Sequence, residues 1–469
     1  MKKKYLLIIS FLTVISINAQ DFIEHTIEEV SGSFTSIRLH DLDNDGNIDI
    51  IGAINGASQL MAWFDSGNGN FENSIIIENE GGTPARDIEF LDINNDGNMD
   101  IIAVTNLTFN GLTFERLAYY INNGDRTFED AVEIEPNFGS SVSNFLTVFD
   151  VNNDNLEDIV IRRIFNPTSI VYYPNTGNGS FGEPIGIINS NLREVFSQDF
   201  NDDGFTDIIL GGGIPQLYIN NGDATFSLST ELDDFPSAQF ATLAGSGQLD
   251  TNQTEDIIFT NTNFIDTAGV LWYSNDGNAN FTIQENITNP DFEGATYTIT
   301  RVADFNNDGN NDLVSGVLFN TNNPTTGIPI WMNDDDFNFT PSSVISTSDN
   351  INNSLEVFDF NNDNKMDFIV GTFEGQLTWF ENNLTLSVYD ESITNLKISP
   401  NPSQGIYHIV NNQNASLFTI NIYNTLGQKI MSIKNSDTID LSAQPSGLYF
   451  AKIEDQISTK KTSRKLIKL

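Results

Sequence analysis

Asp41, Asp43, Asp45 and Asp49 stand at positions 1, 3, 5 and 9 of the stretch DLDNDGNID. Oxygen-bearing side chains at that spacing, with Gly46 at position 6 to let the chain turn sharply, gather several oxygens around one point. The natural occupant is a hard cation. Calcium takes about six to eight oxygens at roughly 2.3–2.6 Å, accepts a backbone carbonyl among them and tolerates irregular geometry. The carbonyl of Asn47, at position 7, would join the set.

Six further copies follow. Their side-chain oxygens fall on Asp92, Asn94, Asp96 and Asp100; Asp150, Asn152, Asp154 and Asp158; Asp199, Asn201, Asp203 and Asp207; Asp304, Asn306, Asp308 and Asp312; and Asp359, Asn361, Asp363 and Asp367. The fifth copy, Gln248 to Asp256, keeps Asp250 and Asp256 but has Gln248 and Asn252 in place of two aspartates. A solvated acidic turn is the competing reading, since Asp, Asn and Gly are ordinary turn residues. Energetics favour the cation: two carboxylates about 4 Å apart repel by roughly 4 kcal/mol at an effective dielectric of 20, against a domain stability of about 5–15 kcal/mol. The expectation is about six or seven calcium sites, the number turning on whether the fifth loop is filled.

The helix-loop-helix calcium hand begins the same way but ends with a carboxylate at position 12. Here position 12 holds Gly52, Ala103, Ile161, Leu210, Phe259, Ser315 and Val370. Apolar pairs such as Ile50-Ile51, Ile101-Ile102 and Phe368-Ile369 follow position 9 instead, and these read as buried strands. The loop therefore joins two strands.

Successive copies begin 49 to 58 residues apart, the signature of a repeat architecture. Each unit has a second mark downstream: an aromatic pair, a turn rich in Asn, Asp and Gly, then Phe, as in WFDSGNGNF (Trp63 to Phe71), YYINNGDRTF (Tyr119 to Phe128) and WYSNDGNANF (Trp272 to Phe281). Asn-Gly and Asp-Gly between apolar runs signal hairpins. Four antiparallel strands per unit, repeated seven times, predict an all-β chain built as a seven-bladed β-propeller. The recurring aromatic pairs read as packing between blades rather than as sugar platforms. The seventh unit stops at Trp379-Phe380-Glu381-Asn382-Asn383 without its fourth strand, and Phe22 to Glu29 is an unclaimed strand. Pairing the two would close the ring.

The loop, the aromatic strand and the turn before Phe together resemble the FG-GAP/VCBS repeats of integrin-like propellers over about residues 22 to 388. That resemblance implies a seven-bladed propeller of four-stranded antiparallel blades, with one calcium between the first two strands of a blade, held by positions 1, 3, 5 and 9. Asn155 and Asn364 replace glycine in two copies, a mild departure because Asn tolerates the left-handed conformation.

Composition sets the remaining bounds. The chain has 469 residues and no cysteine, so disulfides and thiol chemistry are excluded. Lys2, Lys3 and Lys4, the apolar run Tyr5 to Ile17 and then Asn18-Ala19-Gln20 predict a signal peptide over 1–20. No other segment is long and apolar enough for a membrane helix. Residues 21–390, the expected propeller, hold 59 acidic and 9 basic side chains, whereas 391–469 hold 5 and 9. So acidic a domain repels nucleic acid and anionic membrane surfaces. The tail carries ISPNPSQG (Ile398 to Gly405), INIYNTLGQKI (Ile420 to Ile430) and PSGLYFAKI (Pro445 to Ile453), which read as short strands of a small β-sandwich. It resembles the type A sorting domain of the type IX secretion system of Bacteroidetes, implying that machinery as a partner and a secreted or outer-membrane cell-surface destination.

Motifs of known catalysis are missing: the sequence contains no HExxH, no GxSxG and no phosphate-binding glycine loop. His25 and His408 read as incidental, and His40 as a neighbour of the first loop or a channel residue. The expected ligand face is the set of connections between second and third strands, the longest being Thr105 to Leu117, Thr260 to Val270 and Leu318 to Ile330, with Phe109, Phe114, Arg116, Phe264 and Phe319. Arg162 and Arg163 are candidates to receive an acidic ligand, against a reading of all these residues as loop anchors and solvated charges. With no channel-facing acid and base visible in the sequence, the expected function is a calcium-binding module for adhesion to glycan or protein ligands, without catalysis. The alternative is an extracellular carbohydrate-active enzyme, a polysaccharide lyase or hydrolase built on the propeller.

Overall fold

The computed structural model describes residues 22–383 and 396–469, except 56–58, 79–86, 110–111, 136–144, 164–168, 178, 191, 193, 233–240, 253, 262–268, 285–286, 288–295, 319–326, 335–336, 346–349, 412–417, 425–427, 435, 437 and 456–460. The expected leader over 1–20 lies outside them, as do Phe264 and Phe319. Two compact units are present, Met1–Leu384 and Thr385–Leu469.

Among the described residues, the first unit contains seven four-stranded antiparallel sheets. In each, the strand entering an aspartate loop pairs with the one leaving it, as Ser33–His40 pairs with Asp49–Asn55. The doubled apolar residues after position 9 explain how the sheets assemble. Alternate side chains of a strand point to opposite faces, so two successive apolar residues mean burial on both. Ile50 packs among Phe360, Ile369 and Trp379 of the seventh sheet, while Ile51 packs with Ile88, Ile101 and Tyr120 of the second. The same division recurs at every sheet, through Ile101 and Ile102, Ile159 and Val160, Ile208 and Ile209, Ile257 and Ile258, Leu313 and Val314, and Phe368 and Ile369. The apolar core is therefore seven layers between neighbouring sheets, and the last of them, shared by Ile369 and Ile50, closes a propeller-like ring.

Strand Phe22–Glu29 is the fourth strand of the seventh sheet, running antiparallel to Gln376–Asn382 from Phe22 opposite Asn382 to Glu29 opposite Gln376. The expected closure is thus observed. His25 stacks on Trp379 with centroids 4.5 Å apart and bonds Glu381 through Nε2 at 2.8 Å. Glu28 accepts the indole N–H of Trp63 in the first sheet at 2.6 Å. Outer-strand glutamates of other sheets repeat that role: Glu78 accepts from Tyr120 at 3.0 Å, and Glu135 accepts from Tyr173. Trp63, Tyr120 and Tyr173 are buried, as inter-sheet packing requires.

One expectation is overturned. Thr105 to Leu117 is not a rim loop, because strands Asp100–Phe109 and Leu112–Tyr120 stay paired out to Phe109 opposite Leu112. The β-branched and aromatic residues of TNLTF and LTFER continue the ladder.

In the second unit, a sheet of Leu396–Ser399, Ile406–Asn411 and Thr438–Asp440 faces a sheet of Lys429–Lys434, Phe418–Tyr423, Gly447–Asp455 and Lys461–Lys468. Tyr407 and Ile439 of the former share a core with Ile420, Ile422, Tyr449 and Leu466 of the latter, making a small sandwich.

Candidate metal centres and the inner-strand cluster

Backbone amides pull each regular loop into a tight coil. Asp41 accepts the N–H of Asp45 on Oδ1 at 3.1 Å and that of Gly46 on Oδ2 at 2.9 Å, and Asp45 Oδ1 accepts the N–H of Asn47 at 2.8 Å. Asp92, Asp150, Asp199, Asp304 and Asp359 accept the same pair of N–H groups in their own loops. Asn155 and Asn364 hold the position-6 conformation with φ of 66° and 63°, so they serve in place of glycine. Among the described residues, Asp41, Asp43 and Asp49 bring ligand atoms within 4.8 Å of one another.

The fifth loop is built differently. The Ser274 hydroxyl donates to Asp250 Oδ2 at 2.6 Å, and Asn252 donates its amide to the Asn275 carbonyl at 2.7 Å. Asp250 is thus engaged by Ser274 and by the Asn252 N–H, and Asn252 and Thr254 both donate to the Asn275 carbonyl.

Position 9 does structural work that the spacing alone did not reveal. Asp49, Asp100, Asp158, Asp207, Asp256, Asp312 and Asp367 are fully buried. Each accepts two backbone N–H groups, one from position 2 of its loop and one from the residue opening the hairpin turn: Leu42 and Asp65 for Asp49, Ile93 and Asn122 for Asp100. Burial raises these carboxyls, with help from the neighbouring loop aspartates and against the two amides, to about 7 for Asp49 and Asp312 and about 6 for Asp100.

The turn residue passes the connection back to the preceding sheet. Asn122 donates its side-chain amide to the Leu42 carbonyl of the first loop at 2.7 Å and to the Met99 carbonyl at 3.1 Å. Asn275, Asn333 and Asn382 likewise reach the carbonyls of Phe200, Leu249 and Phe305 in the preceding sheets. The first sheet has Asp65 at this place, whose two oxygens instead accept the N–H groups of Gly67 and Gly69. Downstream, Gly69 lies against the Trp379 ring, leaving no room for a Cβ.

A charged cluster that the loop motifs do not point to joins the first strands of neighbouring sheets. Arg301 grips Glu356 with two bonds of 2.8 and 2.7 Å, Glu356 lies 3.6 Å from Arg38, and Arg38 bonds Asp87 at 2.7 Å. Asp87 also accepts the Leu146 N–H, and Thr147 contacts Ser197 on the next inner strand. Glu89 belongs to the same group. Burial first, then Asp87 and Glu356, push it up to about 8 against the pull of Arg38, and the residue is half-buried. Arg38, Glu89, Arg301 and Glu356 all stand three residues before a loop, a register visible only once the loops are aligned. His40 packs beside Phe90, and burial lowers its pKa against Asp41.

The arginines proposed for ligand capture are engaged within the fold. Arg116 is buried and pairs with Glu78 at 2.6 Å, Arg163 bonds Glu135, and Arg162 is buried. Arg116 and Arg163 thus tie neighbouring strands together.

Fold and site together define an all-β repeat protein, a propeller-like ring followed by a small sandwich. The chain carries FG-GAP-like repeats, matched at residues 41–103 and 304–370, and ends in a secretion system C-terminal sorting domain, matched at 397–469. The sorting domain marks a type IX-secreted protein of the cell exterior or surface. Among the described residues, no helix is long and apolar enough to cross a membrane. A search of curated proteins found no match. Similar solved structures include BBS1N in complex with ARL6DN (12% identity, 78% of this chain and 97% of that one, TM-score 0.49). PorZ of Porphyromonas gingivalis, a surface component of the type IX secretion system, matches at 14% identity over 95% of this chain and 61% of its own, with a TM-score of 0.43. The extracellular domain of BT4673 from B. thetaiotaomicron, a putative hybrid two component system, matches at 13% identity over 97% and 59%, with a TM-score of 0.47. The chain thus spans about three fifths of the length of the last two.

Proposed function

We propose that the ring is a calcium-stabilised binding or adhesion module that meets glycan or protein ligands outside the cell. The observation that carries this reading is that the recurring polar residues of the repeats serve architecture: positions 1 and 9 bind backbone amides, and the turn asparagines tie sheet to sheet. The donor set suits a hard ion. Positions 1, 3, 5 and 9 of the first, second, third, fourth, sixth and seventh loops would hold calcium, whose charge offsets the crowding of carboxylates around a buried aspartate. The fifth loop, closed by Ser274 and Asn252, falls outside the set. Melting of the secreted chain with calcium and with EGTA tests this, together with elemental analysis and retention on glycan arrays. The expectation is a clear fall in melting temperature on chelation; an unmoved transition and a metal-free sample refute it.

The second reading, an extracellular carbohydrate-active enzyme, is favoured by the inner-strand cluster, in which Glu89 is a half-buried carboxyl raised to about 8 beside Asp87 and Glu356. New reducing ends or unsaturated products from a polysaccharide panel, abolished by Glu89→Gln, would support it; silence across the panel would sink it.

A further inference from the structure

We propose that Arg126 is a built-in counter-cation of the first aspartate loop, making that loop the weakest calcium binder of the regular six; this rests on the calcium reading above. Arg126 lies in the hairpin turn of the second sheet, yet its Nε donates to Asp43 Oδ2 of the first loop at 2.6 Å. Its guanidinium also approaches Asp45 at 3.7 Å and Glu72 at 3.0 Å, and sits 5.1 Å over the Phe64 ring. Asp43 and Asp45 are positions 3 and 5, two of the oxygens an ion would need.

The turn sets the backbone here, and the side chain it carries is what differs between sheets. Arg126 has φ of 67°, a region that residues other than glycine, asparagine and aspartate seldom occupy unless the turn holds them there. The corresponding turn position is Gly69, Gly179, Ala224, Ala279 or Phe337 in other sheets, all with positive φ. Only the second sheet places a cation there. Among the described residues, the aspartates of the second, third, fourth and sixth loops pair with no basic side chain, and Lys365 reaches Asp363 from within the seventh loop itself.

A guanidinium does not lose its proton in a protein, so the pairing cannot be relieved by deprotonation. A divalent ion entering the first loop must share Asp43 with it or displace it. Arg126 is partly exposed and can swing towards Glu72, giving the seam between the first and second sheets two states: arginine-bridged at low calcium and ion-filled at high calcium.

The test is calcium titration of the secreted chain by calorimetry, with terbium luminescence as a second probe, for wild type, Arg126→Ala and Arg126→Gly. Alanine and glycine occupy the same turn elsewhere, so both substitutions suit the backbone. The expected result is that the weakest class of sites tightens by about tenfold or more, or that one more ion binds, the remaining classes staying fixed. In addition, the metal-free variant should melt below metal-free wild type while the calcium-loaded forms melt alike. Unchanged isotherms, or weaker binding in the variants, overturn the proposal and leave the calcium reading standing. No uptake of either ion by any of the three proteins overturns both.

Discussion

Asn122 is the sharpest place to test whether the ring is held by amide clasps between sheets. Its side chain is fully buried and makes three bonds: to the Leu42 carbonyl at 2.7 Å, to the Met99 carbonyl at 3.1 Å and from the Gly124 N–H at 3.0 Å. Asn122→Ala removes all three. At roughly 1 kcal/mol each the loss is about 3 kcal/mol, before counting carbonyls left without partners. Asn175 provides the control, because its bonds, to the Glu157 carbonyl at 3.1 Å and from the Gly177 N–H at 2.9 Å, stay within its own sheet. Asn175→Ala should cost about 2 kcal/mol. For a cooperative unit of roughly 360 residues, an unfolding entropy near 2.1 cal/mol/K per residue makes 3 kcal/mol about 4 °C. Scanning calorimetry resolves that. Asn122→Asp should be worse than Ala, since it sets a carboxylate against two carbonyls. Equal shifts for Asn122→Ala and Asn175→Ala, or an aspartate variant milder than alanine, would refute the clasp.

Two further outcomes follow from the same geometry. Removing residues 21–30 takes away the closing strand together with the Glu28 bond to Trp63, and should lower and broaden the melting transition; an unchanged transition would mean the seventh sheet stands on three strands. In EGTA, the buried position-9 aspartates, raised to about 6–7, keep protons that the unfolded chain, titrating near about 3.9, has already released. The metal-free ring should therefore lose stability as pH rises from about 5 to 7.5, the reverse of an ordinary ion-paired aspartate. Calcium should abolish or invert that slope by favouring the charged carboxylates; a metal-free protein that melts higher at pH 7.5 than at pH 5.5 contradicts the assignment.

Much of the architecture was legible in the sequence because its causes are local. The loop spacing, the doubled apolar residues behind Asp49 and its counterparts, and the Asn-Gly turns each act within a few residues, and the missing strand after Asn383 matched the unclaimed one at Phe22. What tertiary structure decided were the partners across each seam. Arg126 meets Asp43 from 83 residues away, Asn122 meets Leu42 from 80, and Arg38 joins Asp87 to Glu356 only because the ring brings its first and last sheets together. Periodicity fixes which face a residue occupies but not which of several acids a long guanidinium will reach, and that choice is made by packing angle and burial once the sheets have closed.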